Sequence, residues 1–201
     1  MKKIITYIFL PLAIIGLTYL CYASIAVPIA FEKERSARES VCVDRLKDIR
    51  TLQIAYKSVH SKFANDLDSL ILFYKNDSIS VVKQVGSWDD SLAVAQKRVY
   101  RDTIKISVRD TLLKATGSRV DSLMYIPFSG GKKMQMQAVI AKVSGVDVPL
   151  FEAAAPFDLL LQGMDRQLIV NLNADRTATK RYEGLKVGNV AAPNNNAGNW
   201  E

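Results

Sequence analysis

The sequence predicts an α+β protein in which a long N-terminal transmembrane-plus-amphipathic helix packs on a mainly antiparallel β-sheet. Three observations carry this. Between Lys3 and Glu32 run 28 residues without a charge. The charged stretch that follows, Glu32 to Phe63, keeps helical periodicity and contains no glycine or proline to stop it. Beyond it, short apolar runs alternate with polar residues and are separated by turn-forming clusters. A helix followed by a series of strands is the order expected of an α+β domain.

The apolar stretch is the anchor. At about 1.5 Å per residue, its 28 residues reach roughly 42 Å, more than the ~30 Å hydrocarbon core of a bilayer. Lys2 and Lys3 followed by Ser24-Ile25-Ala26 also fit a cleavable secretory signal, but the apolar run exceeds the usual h-region, so an uncleaved anchor is the expectation. Leu20 before Cys21 excludes a lipoprotein signal, which needs a small residue there. The two lysines place the N-terminus in the cytoplasm and the rest outside. Pro11 and Pro28 are expected to bend the helix without ending it. Ile14, Gly16, Ala23, Ile25 and Pro28 are the candidate anchor residues. The division is an anchor over 1–31, a continuation of the helix over 32–66, and an extracytoplasmic head over 67–201.

The outward half of the helix is amphipathic. Cys42, Leu46, Ile49, Leu52, Tyr56, Val59 and Phe63 recur at spacings of three or four, while Asp44, Arg45, Lys47, Asp48, Arg50 and Lys57 fill the opposite face. Leu46, Ile49, Leu52, Tyr56, Val59 and Phe63 are the candidate interaction residues, expected to hold the head against the stem. A coiled coil with a partner chain is the lesser reading, because the stretch is short and Ile54 lies off a clean seam. Cys21 and Cys42 stand 21 residues apart on one helix, roughly 31 Å, and cannot pair with each other. Cys42 is expected to be a small buried thiol.

The head begins with a short helix over 67–74. Strands are expected over 79–85 and through Ile104, Ile106 and Val108, with a helical piece over 91–97 between them. Residues 123–128 and 134–143 flank Ser129-Gly130-Gly131-Lys132-Lys133 and predict a hairpin. A strand over 146–151, a short helix over 156–167 with Phe157, Leu160, Leu161 and Met164 inward, a strand over 168–172 and a loop-like tail over 184–201 complete the reading.

The first 70 residues carry a resemblance. Ile14-Ile15-Gly16-Leu17, then Ala23-Ser24-Ile25-Ala26-Val27-Pro28, is similar to the membrane stretch of type IV pilins and type II secretion pseudopilins. Arg35-Ser36-Ala37-Arg38 resembles the basic run where pilin helices leave the membrane. His60-Ser61-Lys62-Phe63 and Asp66-Leu67-Asp68-Ser69-Leu70 resemble the family's entry into the head. The cleavage motif and the acidic residue of the family's apolar segment have no counterpart before Glu32. The resemblance implies a pilin-like shape and a role in a secretion, pilus or motility assembly of the bacterial envelope.

Catalytic and ligand-binding constellations are scarce. His60 is the single histidine and no G-x-S-x-G accompanies it. Ser129-Gly130-Gly131-Lys132 lacks the spacing of a phosphate loop. Asn171, Asn173 and Asp175 have the spacing of a calcium loop, but Arg176 stands where glycine is needed and Tyr182 where the closing Glu belongs, so a turn after a strand is expected. The net charge of +7 is scattered, with no basic cluster interleaved with aromatics, so nucleic acid is not an expected partner. The reading is a non-enzymatic, single-pass inner-membrane protein with no cofactor, metal or small-molecule substrate, whose partners are the lipid bilayer and either other envelope-assembly proteins or itself. The alternative is a membrane-tethered periplasmic binding module. An envelope enzyme would instead show a deep pocket lined by Asp158, Asp165 and Arg166.

Overall fold

A computed structural model of the chain describes residues 9–85, 100–112 and 117–201. Lys2, Lys3, Trp88 and the helical piece expected over 91–97 lie outside the described residues. The first element, α1, is one continuous helix, Leu10–His60, of 51 residues, or about 76 Å at 1.5 Å per residue. Pro28 lies inside it without interrupting it. The helix stops at Ser61, which adopts a left-handed conformation (φ 61°) and donates its backbone N–H to the Lys57 carbonyl at 2.8 Å.

Asp66 caps the next helix, α2 (Leu67–Asn76), its carboxylate accepting the Ser69 N–H at 2.7 Å. Strands β1 (Ser78–Val85) and β2 (Tyr100–Ser107) follow as an antiparallel ribbon that pairs Ile79 with Ile106 and Val81 with Ile104. Val108, expected at the strand's end, is fully buried at the start of a short helical turn, α3 (Val108–Thr111). A 3₁₀ segment, Gly117–Met124, leads to the second sheet, β3 (Gln135–Val143), β4 (Val146–Pro156) and β5 (Gly184–Gly188), antiparallel in the order β3-β4-β5. Between β4 and β5 lie a turn of helix, α4 (Phe157–Leu160), and the longer α5 (Arg166–Ala178).

Four expectations are corrected. The hairpin joins β3 to β4 through Ser144 and Gly145, both at positive φ (51° and 85°), the conformation that a two-residue turn matched to strand twist requires. Residues 123–128 instead end a 3₁₀ segment and make a single bridge, Tyr125 to Lys133. The Ser129-Gly130-Gly131 loop is closed by the backbone bonds beside that bridge, Ile126 N–H to the Lys132 carbonyl at 2.9 Å and Met134 N–H to the Met124 carbonyl at 2.7 Å, and by the Ser129 hydroxyl, which donates to the Ile126 carbonyl at 2.7 Å. The helix expected over 156–167 is cut after one turn. Asp165 then accepts the N–H groups of Gln167 (2.8 Å) and Leu168 (3.2 Å) and opens α5.

Residues 168–172 are thus helical, with Leu168, Ile169, Leu172, Asn173 and Arg176 at least half-buried along one face at helical spacing. The tail is not all loop. Gly184–Gly188 pairs with β4, and the chain returns so that Gly198 bridges Val187. Gly188 (φ 74°) admits no side chain, because a Cβ there would stand 2.1 Å from the Phe151 carbonyl oxygen.

The core lies between α1 and this three-stranded sheet. Cys42, Leu46, Ile49 and Leu52 from α1 meet Phe151, Ala153 and Ala155 from one face of β4 and Leu185 and Val187 from β5. Small alanines on β4 let the helix approach closely, and Phe151 fills the space where the chain leaves α1, its ring 4.8 Å from that of Phe63. Trp200 packs against the edge of this cluster.

Candidate functional site

The anchor half of α1 is bare. Ile14 and Ile25 are 56% and 63% exposed, Gly16 and Pro28 are exposed, and Ala23 is half-exposed. The most apolar stretch has a mean hydropathy of 2.0, and none of it is buried within the protein. A helix that is apolar all round and touches no core is satisfied only by an apolar surrounding. By length and composition α1 is able to cross a membrane once, the arrangement of a single-pass membrane protein.

The other half of α1 enters the core. Leu46, Ile49 and Leu52 have no exposed surface and Phe63 has 6%. Tyr56 is half-buried, set edge-on to Phe73 with ring centroids 5.2 Å apart. Val59 is 42% exposed and does not share this packing. At about 100° per residue it lies roughly 80° round the helix from Ile49, at the margin of the buried face. Gln53, about 40° from Ile49 on the other side, is instead fully buried. Its amide donates to the Ala64 carbonyl and accepts the Ala64 N–H, both at 2.9 Å, and its Nε2 also lies 3.2 Å from the Met136 sulfur. Helical angle alone would have found this residue, where polarity hid it.

Charged side chains on α1 tie down the loops of the head. Arg45 donates to the Tyr125 carbonyl at 2.6 Å and the Ser122 carbonyl at 3.1 Å. Arg38 bonds Glu34 at 2.8 Å and the Gln162 carbonyl at 2.9 Å, with its guanidinium 4.9 Å from the centre of the Phe128 ring. Arg50 bonds Glu201 at 2.6 Å, and that hydrogen bond holds the Glu201 carboxyl below the usual carboxylate range. Glu39 moves the other way, pushed up by burial against the opposing charge of Arg35. The two groups stand 3.1 Å apart but are too poorly aligned for a hydrogen bond. Burial also pushes the Cys42 thiol up to about 12. Cys42 has no exposed surface and is out of reach of a second chain's thiol.

The candidate ligand positions do not converge. Asn171, Asn173 and Asp175 lie on α5, where residues two apart point to different sides, so the turn expected there is also replaced by helix. Among the described residues, no group of three His, Cys, Asp or Glu side chains is placed to hold a metal. His60 is 3.9 Å from Asp77 and stacks beside Tyr56, with ring centroids 4.3 Å apart.

A depression of about 430 Å³ includes Asp158 and Arg166 among its lining residues. Both are exposed, and Asp158 accepts a hydrogen bond from Asn173 at 3.0 Å. Asp165 does not line it and caps α5 instead. A second depression of about 350 Å³ lies beside Tyr56, Phe63, Asn65 and Pro149.

Comparison with protein-family models, with curated proteins and with solved structures returned no match.

Proposed function

We propose that the protein is a non-enzymatic, single-pass inner-membrane protein of a bacterial envelope. On this reading its pilin-like head stands in the periplasm and serves a secretion, pilus or motility assembly through protein–protein contacts. One observation carries the reading. The same unbroken helix is bare and apolar in its first half and supplies the core of an antiparallel-sheet head with its second. A helix used in this way holds a folded surface at fixed height above a bilayer, which is the task of an assembly component. Apolar side chains left bare on the outer half of α1 add support, since Val41, Ile54 and Val59 are 40%, 51% and 42% exposed and open to a neighbour.

The test is photo-crosslinking from positions 41, 54 and 59 in native membranes, with blue-native electrophoresis of the intact protein. Cys42 cannot serve as the crosslinker because it is buried. Adducts that disappear when the label is moved to buried Leu46, together with migration above the monomer, are expected. A lone monomer at every position overturns the assembly reading and leaves the tethered binding module.

A further inference from the structure

We propose that the base of the head, made by the loops around Phe128 and Gln162–Arg166, lies in the headgroup layer of the anchoring membrane and binds the phosphates of anionic lipids. The inference rests on the reading of α1 as a membrane anchor. It assigns to the head a binding surface of its own.

The height of the head supports it first. Ile25, Val27 and Ile29 are 63%, 51% and 62% exposed, and each demands an apolar surrounding, which carries the hydrocarbon edge up to Ile29. Phe31, two residues further, already packs against the core of the head. Anchor and head therefore meet within about 3 Å of helix rise, with no stalk between them. The headgroup region adds roughly 5–7 Å beyond the hydrocarbon on each side. Arg38 starts about 10 Å above Phe31. Helical side chains lean toward the N-terminus, so its guanidinium drops toward that layer. Arg38 holds both loops of the base, through the Gln162 carbonyl at 2.9 Å and the Phe128 ring at 4.9 Å.

The second support is Phe128 itself. It is 52% exposed, and its φ of 60° is a left-handed conformation that a bulky side chain rarely adopts. Arg38 approaches the ring from one side, and the rest of it is left to water in a soluble head. At the bilayer interface the same ring gains an apolar surrounding.

Charge is the third support. Glu32 and Glu39 face Arg35 and Glu34 faces Arg38, while Asp158 and Asp165 are hydrogen-bonded to the Asn173 amide and the α5 backbone and keep their charge. Lys33, Lys132 and Arg166 are exposed and form no ion pair among the described residues. These three side chains are free to meet lipid phosphate.

The experiment uses the full chain in nanodiscs of phosphatidylcholine with or without phosphatidylglycerol, labelled at one cysteine with an environment-sensitive fluorophore. Natural Cys21 reports on the anchor. Phe128→Cys and Gln162→Cys, each on a Cys21→Ser background, report on the base. Val146→Cys, at the β3–β4 turn and 63% exposed in the wild type, reports on the far end. The readouts are quenching by nitroxide lipids and the emission maximum.

Quenching of Cys21 by acyl-chain nitroxide, quenching of positions 128 and 162 by headgroup nitroxide, and none at 146 are expected. Phosphatidylglycerol should shift emission at 128 to the blue, and Lys132→Gln/Arg166→Gln should abolish that shift. Quenching at Cys21 with none at 128 and 162 overturns the proposal while keeping the anchor. No quenching at Cys21 overturns both. A blue shift that survives the double variant overturns the phosphate contact.

Discussion

Gln53 offers its amide to both polar groups of Ala64 in a fully buried site, and in doing so fixes where the chain leaves α1. Gln53→Leu keeps the volume but strands an N–H and a carbonyl, each costing about 1–3 kcal/mol. Urea denaturation in detergent should show a clear loss of stability, whereas Ile54→Gln, at an exposed position, should show little. Cys42 gives a second expectation at this scale. Its thiol ionises near 9.0 when unfolded and is held neutral to about 12 when folded. The folded state therefore keeps its proton longer, and the resulting stability is complete below pH 9 and is lost as pH climbs toward 12. The difference in stability between wild type and Cys42→Ala, followed from pH 8 to 11, should shrink. A thiol reagent at pH 8 should label Cys21 and leave Cys42 untouched.

At the scale of elements, the two sheets are unequal. The β1–β2 ribbon has two strands, and Val81, Val82 and Ile104 on it are 39%, 58% and 43% exposed. A two-stranded ribbon buries too little to be stable alone. Amide hydrogen exchange should therefore open Ser78–Val85 well before Phe151–Ala155, which lies in the middle of the other sheet between α1 and its neighbours. The helix and the β1–β2 alternation were legible in the sequence because each holds one period over many residues. The β3–β4 hairpin was missed because Ser144-Gly145 is a weaker turn signal than Ser129-Gly130-Gly131, whose flanks pair only through one bridge and its backbone bonds, with the Ser129 hydroxyl inside the turn. Residues 168–172 misled because Leu168, Ile169, Val170 and Leu172 form a short apolar run that suits strand or helix. The cap at Asp165 decided between them. Strand β5 is five residues bounded by glycines and acquires its pairing only from β4, a tertiary contact that no local pattern announces.

At the scale of the whole molecule, α1 is two proteins' worth of helix in one element. Its first half has no role inside the head, and its second half is the head's central support. A chain lacking residues 1–30 should still unfold cooperatively when followed by circular dichroism. A chain lacking residues 1–60 removes Cys42, Leu46, Ile49, Leu52 and Gln53 from the core and should show no cooperative transition. Of the candidate site, the anchor and most of the stripe could be read from spacing. The loops held by Arg38 and Arg45 could not, because each arginine reaches a backbone carbonyl more than 75 residues away.

The absence of a break in α1 has a mechanical consequence. Beyond Phe31 the helix continues for 29 residues (32 to 60), roughly 44 Å. A transmembrane segment tilts when its apolar length exceeds the thickness of the surrounding lipid, typically by about 20°. Through a rigid lever of this length, that lean moves the far end sideways by about 15 Å. Lipid thickness would thereby set where the upper surface of the protein points, and thinner or thicker membranes would present it to different neighbours.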